Sequence, residues 1–251
     1  MSKLGSNIAP YDVWPALVSF GIALPVYAST AFPSVAGGDS GELVAEACIA
    51  GGGVAHPPGY PLFLMLLRKA LEFKMKYSPA YIANLLNATY AAVAVGCITH
   101  FVYLYGNKKH GLAAITGGLM YAFTPLTWEY AVGAEVFALN NMLCGVLFVL
   151  CAIFRRTLSP WVAALGALIC GLALCNQHTA ILFEAPMIAW VLWHGRSVFR
   201  FYHIVFFALL FVAGLTPYLH MMEVAAIPRK GSWGNASSWM GLLRHLVREE
   251  Y

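Results

Sequence analysis

Residues 134–154 read AEVFALNNMLCGVLFVLCAIF. One carboxylate stands at the start, two asparagines follow within two turns, and everything after them is apolar. A helix needs about 20 mostly apolar residues to cross the hydrocarbon core of a bilayer, and this stretch has them. Six further segments read the same way, at 13–32, 81–105, 111–127, 160–175, 179–193 and 201–220. The run at 61–71 is apolar but short and ends in Arg68 and Lys69, with Glu72, Lys74 and Lys76 just beyond. That length and charge predict an interfacial helix rather than a span.

The composition agrees. Of 251 residues, 60% are apolar and 10% charged, and the mean hydropathy is +0.69. A soluble domain of this size cannot cover that much apolar surface, and disorder needs the opposite composition. The expected fold is all-α, a multispan transmembrane bundle of about seven spans in a single domain over 1–251, because continuous apolar runs do not fit the short alternating strands of a barrel. The six cysteines sit mainly in apolar runs without ligand-type spacing and read as small buried hydrophobes.

Charge distribution orients the bundle. With a cytosolic N-terminus, the cytosolic loops hold Lys108 and Lys109, Arg155 and Arg156, and Arg196 and Arg200, and none holds an acid. Asp39, Glu42, Glu46, Glu129, Glu135 and Glu223 fall on the opposite face. This satisfies the positive-inside rule, and counting 61–71 as a span breaks it. The map predicts a long luminal loop at 33–80 and a luminal segment at 221–251. The sequon at Asn235 is then on the side where glycosylation occurs. The sequon at Asn87 lies within a span and is expected to stay unmodified.

Four polar clusters map to that luminal face. GGDSGEL at 37–43 places Asp39 and Glu42 three residues apart, on one face of a helix starting there. GGGVAHPPGYP at 51–61 holds His56 and Tyr60 in a loop rich in glycine and proline. Glu135, Asn140 and Asn141 stand at the mouth of the fourth span, and Asn176, Gln177 and His178 form a polar turn between the fifth and sixth. The residues alone leave structural readings open for each: turns, a helix cap, or interhelical hydrogen bonds. Their convergence on one face argues for a polar cavity open to the lumen. Glu184, deeper in the sixth span, has no basic partner in sequence.

These motifs, with AEVFALNN at 134–141, LCNQHT at 174–179, WGN at 233–235 and REEY at 248–251, resemble the transmembrane protein 260 family of protein O-mannosyltransferases, within the C-type glycosyltransferase fold. The match runs in order from about residue 33 to the end. The resemblance implies a multi-pass protein of the endoplasmic reticulum membrane. It would move mannose from dolichyl phosphate mannose to Ser or Thr of secretory-pathway receptor domains, the immunoglobulin-like folds of plexin-type receptors. The implied partners are that lipid-linked donor, a luminal protein acceptor and membrane lipid, with no nucleic acid. No cofactor is implied, and no metal-ligand spacing is visible. Asp39 matches the family's first-loop aspartate, its general base. The family is longer, so this chain is expected to be its N-terminal part, and no family role passes to Asn235.

The chemistry requires a base, a counter-charge for the leaving phosphate and a sugar pocket. Asp39 is the candidate base, with Glu42 orienting it or the acceptor. His56, Tyr60, Glu135, Asn140, Asn141, Asn176, Gln177 and His178 are candidates for substrate binding, and Arg68 and Arg248 for the phosphate. A secondary transporter with a mid-membrane site and a non-catalytic assembly subunit are the alternatives. The placement of the polar residues at one mouth, and the lack of a repeat, speak against transport.

Overall fold

The computed structural model describes residues 12–73, 76–227 and 229–249. Lys74 and the last two residues of the REEY motif lie outside them. The described residues form twelve α-helices and no strand: α1 (Trp14–Thr30), α2 (Ser40–Cys48), α3 (Pro61–Leu71), α4 (Pro79–Tyr105), α5 (Gly111–Ala122), α6 (Pro125–Val132), α7 (Val136–Thr157), α8 (Pro160–Leu174), α9 (Ile181–Gly195), α10 (Phe201–Gly214), α11 (Pro217–Ala225) and α12 (Trp239–Leu246), with a 3₁₀ turn at His178–Ala180. The architecture is an all-α helical membrane bundle. Six of the helices carry proline in their first two positions, where the missing N–H has no intrahelical partner to lose.

Each of the seven expected spans contains an apolar helix, but three are long and apolar enough to cross a membrane by length and composition: α4, α7 and the α10–α11 stretch Phe201–Ala225. The segment at 111–127 differs from expectation. Its helix stops at Ala122 and restarts at Pro125 as α6, because a residue preceding proline is pushed out of the helical region. The junction of α10 and α11 is milder: Leu215 and Thr216 keep helical backbone angles before Pro217, and α11 runs past residue 220. Helix α3 has the expected bounds and buries Phe63, Leu64 and Leu67 along one stripe, leaving Leu66 and Lys69 exposed.

Helix α4 is the centre, packed by α1, α5, α6 and α7, while α8 bridges α7 to α10. Small residues set the close crossings. A Cβ on Gly118 would stand 1.9 Å from Thr99 Oγ1, and one on Gly171 of α8 would stand 2.2 Å from the Phe211 carbonyl of α10. Glycines at helix crossings let backbones approach where there is no hydrophobic drive between helices. Among the cysteines, Cys144, Cys170 and Cys175 are buried, and Cys48 is exposed, against the expectation.

The two ends of the bundle differ. One gathers the loops bearing Lys108, Arg155, Arg156, Arg196 and Arg200. There Arg156 donates to the Leu104 carbonyl and Asn107, and Phe154 stacks on Phe199. The other gathers residues 33–60, 133–135, 175–180, 218–227 and 229–249, and it holds the polar clusters.

Candidate active site

The site begins with a turn. Gly37 and Gly38 take φ of +108° and +57°, the left-handed region that glycine enters without a Cβ penalty. They deliver Asp39 to the N-cap position of α2. The Asp39 amide donates to Glu135 Oε1 at 2.9 Å, and a Cβ on Gly38 would stand 2.6 Å from that oxygen. Glycine is therefore needed for Glu135 to reach in. Sequence reasoning allowed Asp39 to act as a helix cap, but its side chain makes no capping bond. The carboxylate is 51% exposed and stands 3.6 Å from His56 Nε2.

One turn into α2, Glu42 grips the second loop. Its Oε1 accepts the His56 amide at 2.6 Å, and its Oε2 meets His56 Nδ1 at 3.0 Å. A carboxylate on Nδ1 fixes the ring with that nitrogen protonated and directs Nε2 outward. Nε2 lies 3.0 Å from the Tyr60 hydroxyl, and the two rings meet edge-on. Tyr60 has φ +45° as N-cap of α3, an αL conformation that costs a non-glycine residue on the order of 1 kcal/mol or more and recurs at functional sites. Burial pushes the Tyr60 hydroxyl up to about 12; Asp39 adds to this and Arg248 opposes it. Burial also raises the Glu135 carboxyl, against the lowering effect of its bond from the Asp39 amide.

The 3₁₀ turn closes the site from another side. Tyr218 donates its hydroxyl to the Leu174 carbonyl at 2.9 Å, so His178 Nε2, 2.9 Å away, donates to Tyr218. His178 is lowered by burial and by the Arg248 charge. Asn176 donates to the Val136 carbonyl beside Glu135, and the Leu62 amide donates to the Cys175 carbonyl, tying α3 to the same turn. Asn140 is buried one turn below Val136, with Oδ1 lacking a protein partner, as does Gln177 Oε1.

Asp39, Glu42, His56, Tyr60 and Glu135 thus form one connected cluster, with Asn176 and His178 tied to its edge. Asn141 is half-buried and outside these bonds. The two arginines separate. The Arg248 charge acts on both Tyr60 and His178, whereas Arg68 lies against Gly52, where Arg229 donates to the carbonyl. Asn235 is exposed and its Oδ1 accepts the Ser237 hydroxyl at 2.6 Å. The cluster is an open mouth; a cavity of about 450 Å³ lies at the same end against Cys48, Arg68 and Tyr77, and others lie between helices farther along the bundle.

Sequence reasoning missed several contributors. Glu46, one turn beyond Glu42, is buried with Oε2 unpartnered, and burial, with Glu42 adding, raises it to about 7; its i+4 spacing from Glu42 was the available signal. Ser232 and Trp233 pair with Val54, through Val54 N–H to Ser232 Oγ at 2.6 Å and Trp233 N–H to the Val54 carbonyl at 2.9 Å. The Trp233 ring also faces His56. Asn84 donates to the Phe32 and Ser34 carbonyls and accepts from the Ala134 amide. Asn87 donates to the carbonyls of Tyr130, Gly133 and Glu135. The two asparagines clamp the loops that carry Asp39 and Glu135, and Asn87 is fully buried, so its sequon has no accessible amide.

A multi-pass helical bundle with a carboxylate–histidine cluster built from its first inter-span loop is the class these features define. The profile of the Protein O-mannosyl-transferase TMEM260 N-terminal domain matches residues 39–199. The chain is 36% identical over 240 residues to Protein O-mannosyl-transferase TMEM260 of Mus musculus, covering 92% of this chain and 33% of that protein. It is 34% identical over 247 residues to Protein O-mannosyl-transferase tmem260 of Dictyostelium discoideum, covering 90% of this chain and 29% of that protein. The chain belongs to the TMEM260 family, and it spans about a third of the length of these relatives. No solved structure matches it.

Proposed function

We propose that this chain carries the catalytic mouth of a protein O-mannosyltransferase of the endoplasmic reticulum membrane. It takes mannose from dolichyl phosphate mannose and passes it to Ser or Thr of secretory-pathway receptor domains of the plexin-type immunoglobulin-like fold. The names of the relatives support mannosyl transfer to protein. The observation that carries the residue assignment is the Asp39 carboxylate, held by its own backbone on Glu135 while its side chain stays exposed beside His56.

In this reading Asp39 takes the acceptor hydroxyl proton as the oxygen attacks C1 of mannose. The bond from C1 to the phosphate oxygen breaks, and dolichyl phosphate leaves with the electron pair. A single displacement of this kind inverts C1. Glu42 acts through His56, holding its ring so that Nε2 faces Asp39 and Tyr60. Arg248 rather than Arg68 meets the phosphate, because its charge already acts on the cluster. Glu135, Asn140, Asn141, Asn176, Gln177 and His178 line the approach for the sugar. The N-terminus is cytosolic and the mouth luminal, which leaves Asn235 open to glycosylation.

The test is mannosyl transfer by the full-length protein in detergent, with Asp39→Asn and Asp39→Glu. Loss of a general base lowers turnover roughly 10²–10⁴-fold, with partial recovery in Asp39→Glu. Turnover of Asp39→Asn within a few-fold of wild type, at an unchanged melting temperature, removes Asp39 from this role.

A further inference from the structure

Helix α9 has a cavity on each flank. Toward α8 and α10 lies one of about 330 Å³, walled by apolar and thiol side chains such as Leu150, Ala167, Ile188 and Phe207. Toward α4 and α7 lies another of about 600 Å³, which follows α9 from Leu182 to His194. At 1.5 Å per residue that is roughly 18 Å of groove. Its walls are Phe101, Phe148, Met187 and Trp190, and its basic side chains, Arg155 and His194, stand at one end only.

The Arg155 guanidinium lies 4.6 Å over the Tyr105 ring and has no acidic partner among the described residues. The His194 ring lies tilted against Trp190, with centroids 4.1 Å apart. The neighbouring loops add Lys109, Arg156, Arg196 and Arg200. The described acid at this end, Asp12, accepts the Tyr103 hydroxyl. An apolar channel about one acyl chain long, ending in a guanidinium that holds no anion beside an imidazole, has the polarity of a single-headed amphiphile.

We propose that the groove between α4, α7 and α9 binds an anionic phospholipid, its phosphate at Arg155 and His194 and one acyl chain along α9. The lipid comes from the leaflet at the basic end of the bundle. The lipid-linked sugar donor does not fit the same polarity, since its phosphate belongs at the Asp39 mouth; this exclusion rests on the proposed function. The 330 Å³ flank lacks a cation and takes no headgroup. An exposed arginine at an anionic lipid surface favours binding by about fivefold.

The test is native mass spectrometry of the full-length protein after delipidation, with phosphatidylglycerol and phosphatidylcholine of identical acyl chains. Wild type retains the anionic lipid about fivefold better. Arg155→Gln loses that preference, and Lys109→Gln, a basic residue at the same end outside the groove, keeps it. Met187→Trp, which fills space shared by the groove and the 330 Å³ flank, lowers retention of the anionic lipid. Equal retention of both lipids by wild type, an unchanged preference in Arg155→Gln, or an unchanged signal in Met187→Trp overturns the proposal. So does displacement of phosphatidylglycerol by equimolar dolichyl phosphate, which assigns the groove to the donor instead. Mannosyl transfer measured on the same samples keeps the two readings apart, because loss of lipid preference with normal transfer leaves the Asp39 assignment standing.

Discussion

The two ends of the bundle differ in charge, one basic and the other mixing acids with nearly as many bases, and they use it in opposite ways. At the acidic end Glu42 and Glu135 are spent on specific partners, the His56 ring and backbone and the Asp39 amide. Asp39 is left with an exposed carboxylate against a fixed frame. At the basic end Arg155 and Arg196 lie over aromatic rings, and Arg156 rests on a helix-end carbonyl. One end is organised to present a single group, whereas the other distributes like charges around a rim. Charge alone therefore does not mark a site; charge held by long-range backbone bonds does.

The comparison breaks if residues at the acidic end prove dispensable. The largest effect beyond Asp39 itself is expected for Glu42→Gln, which releases His56. Misplacement of a group near the chemistry by about 1 Å costs on the order of 10²-fold, read as turnover at unchanged melting temperature. Arg156→Gln at the other end leaves turnover unaltered in the same assay.

Next comes Asn87→Ala. It removes the amide that donates to the carbonyls of Tyr130, Gly133 and Glu135, and leaving buried acceptors unpaired costs roughly 1–3 kcal/mol, measured by denaturant unfolding of the solubilised protein. Turnover falls with it, because the loops lose their clamp.

A third prediction concerns pH. Glu46 is raised to about 7 in the folded protein from an ordinary 4.5. Between those values the folded state holds a proton that the unfolded state has released, so stability falls as pH rises from 4.5 toward 7. With one pKa unit equal to about 1.4 kcal/mol, the loss is roughly 1–3 kcal/mol. Glu46→Gln flattens the dependence of melting temperature over pH 5–8; an unchanged slope in that variant excludes Glu46 as its source.

The smallest effect belongs to the exposed pair of Lys69 with Glu72 at 3.0 Å. Lys69→Ala changes stability by less than about 0.5 kcal/mol, as exposed pairs generally do. A larger shift means that α3 depends on its solvent face more than its buried stripe of Phe63, Leu64 and Leu67 indicates.

Much of this organisation is legible in the chain. The bounds of α3, the helical segments and the grouping of Asp39, Glu42, His56 and Tyr60 follow from apolar runs and from spacing within some twenty residues. What escapes is what closes over long separations. Nothing local shows that Glu135 accepts the amide of Asp39, or that Asn84 and Asn87 of a membrane helix reach out to loops on either side of it. The broken helix at 111–127 was marked by Pro125, but the apolar run continues through the break, and hydropathy does not register a bend. Glu46 reads as one more acid until the fold seals it behind Gly53.

The pairing of Val54 with Ser232 and Trp233 has a consequence in time. These partners are separated by 178 residues in the first of the two bonds. A ribosome adding about 5–20 residues per second reaches Ser232 roughly 10–35 s after Val54. During that interval the loop bearing His56 is without its seal, held by Glu42 and Tyr60, its partners nearby in the chain. A nascent chain halted before residue 232 should therefore carry every residue of the acidic cluster and still lack its finished form.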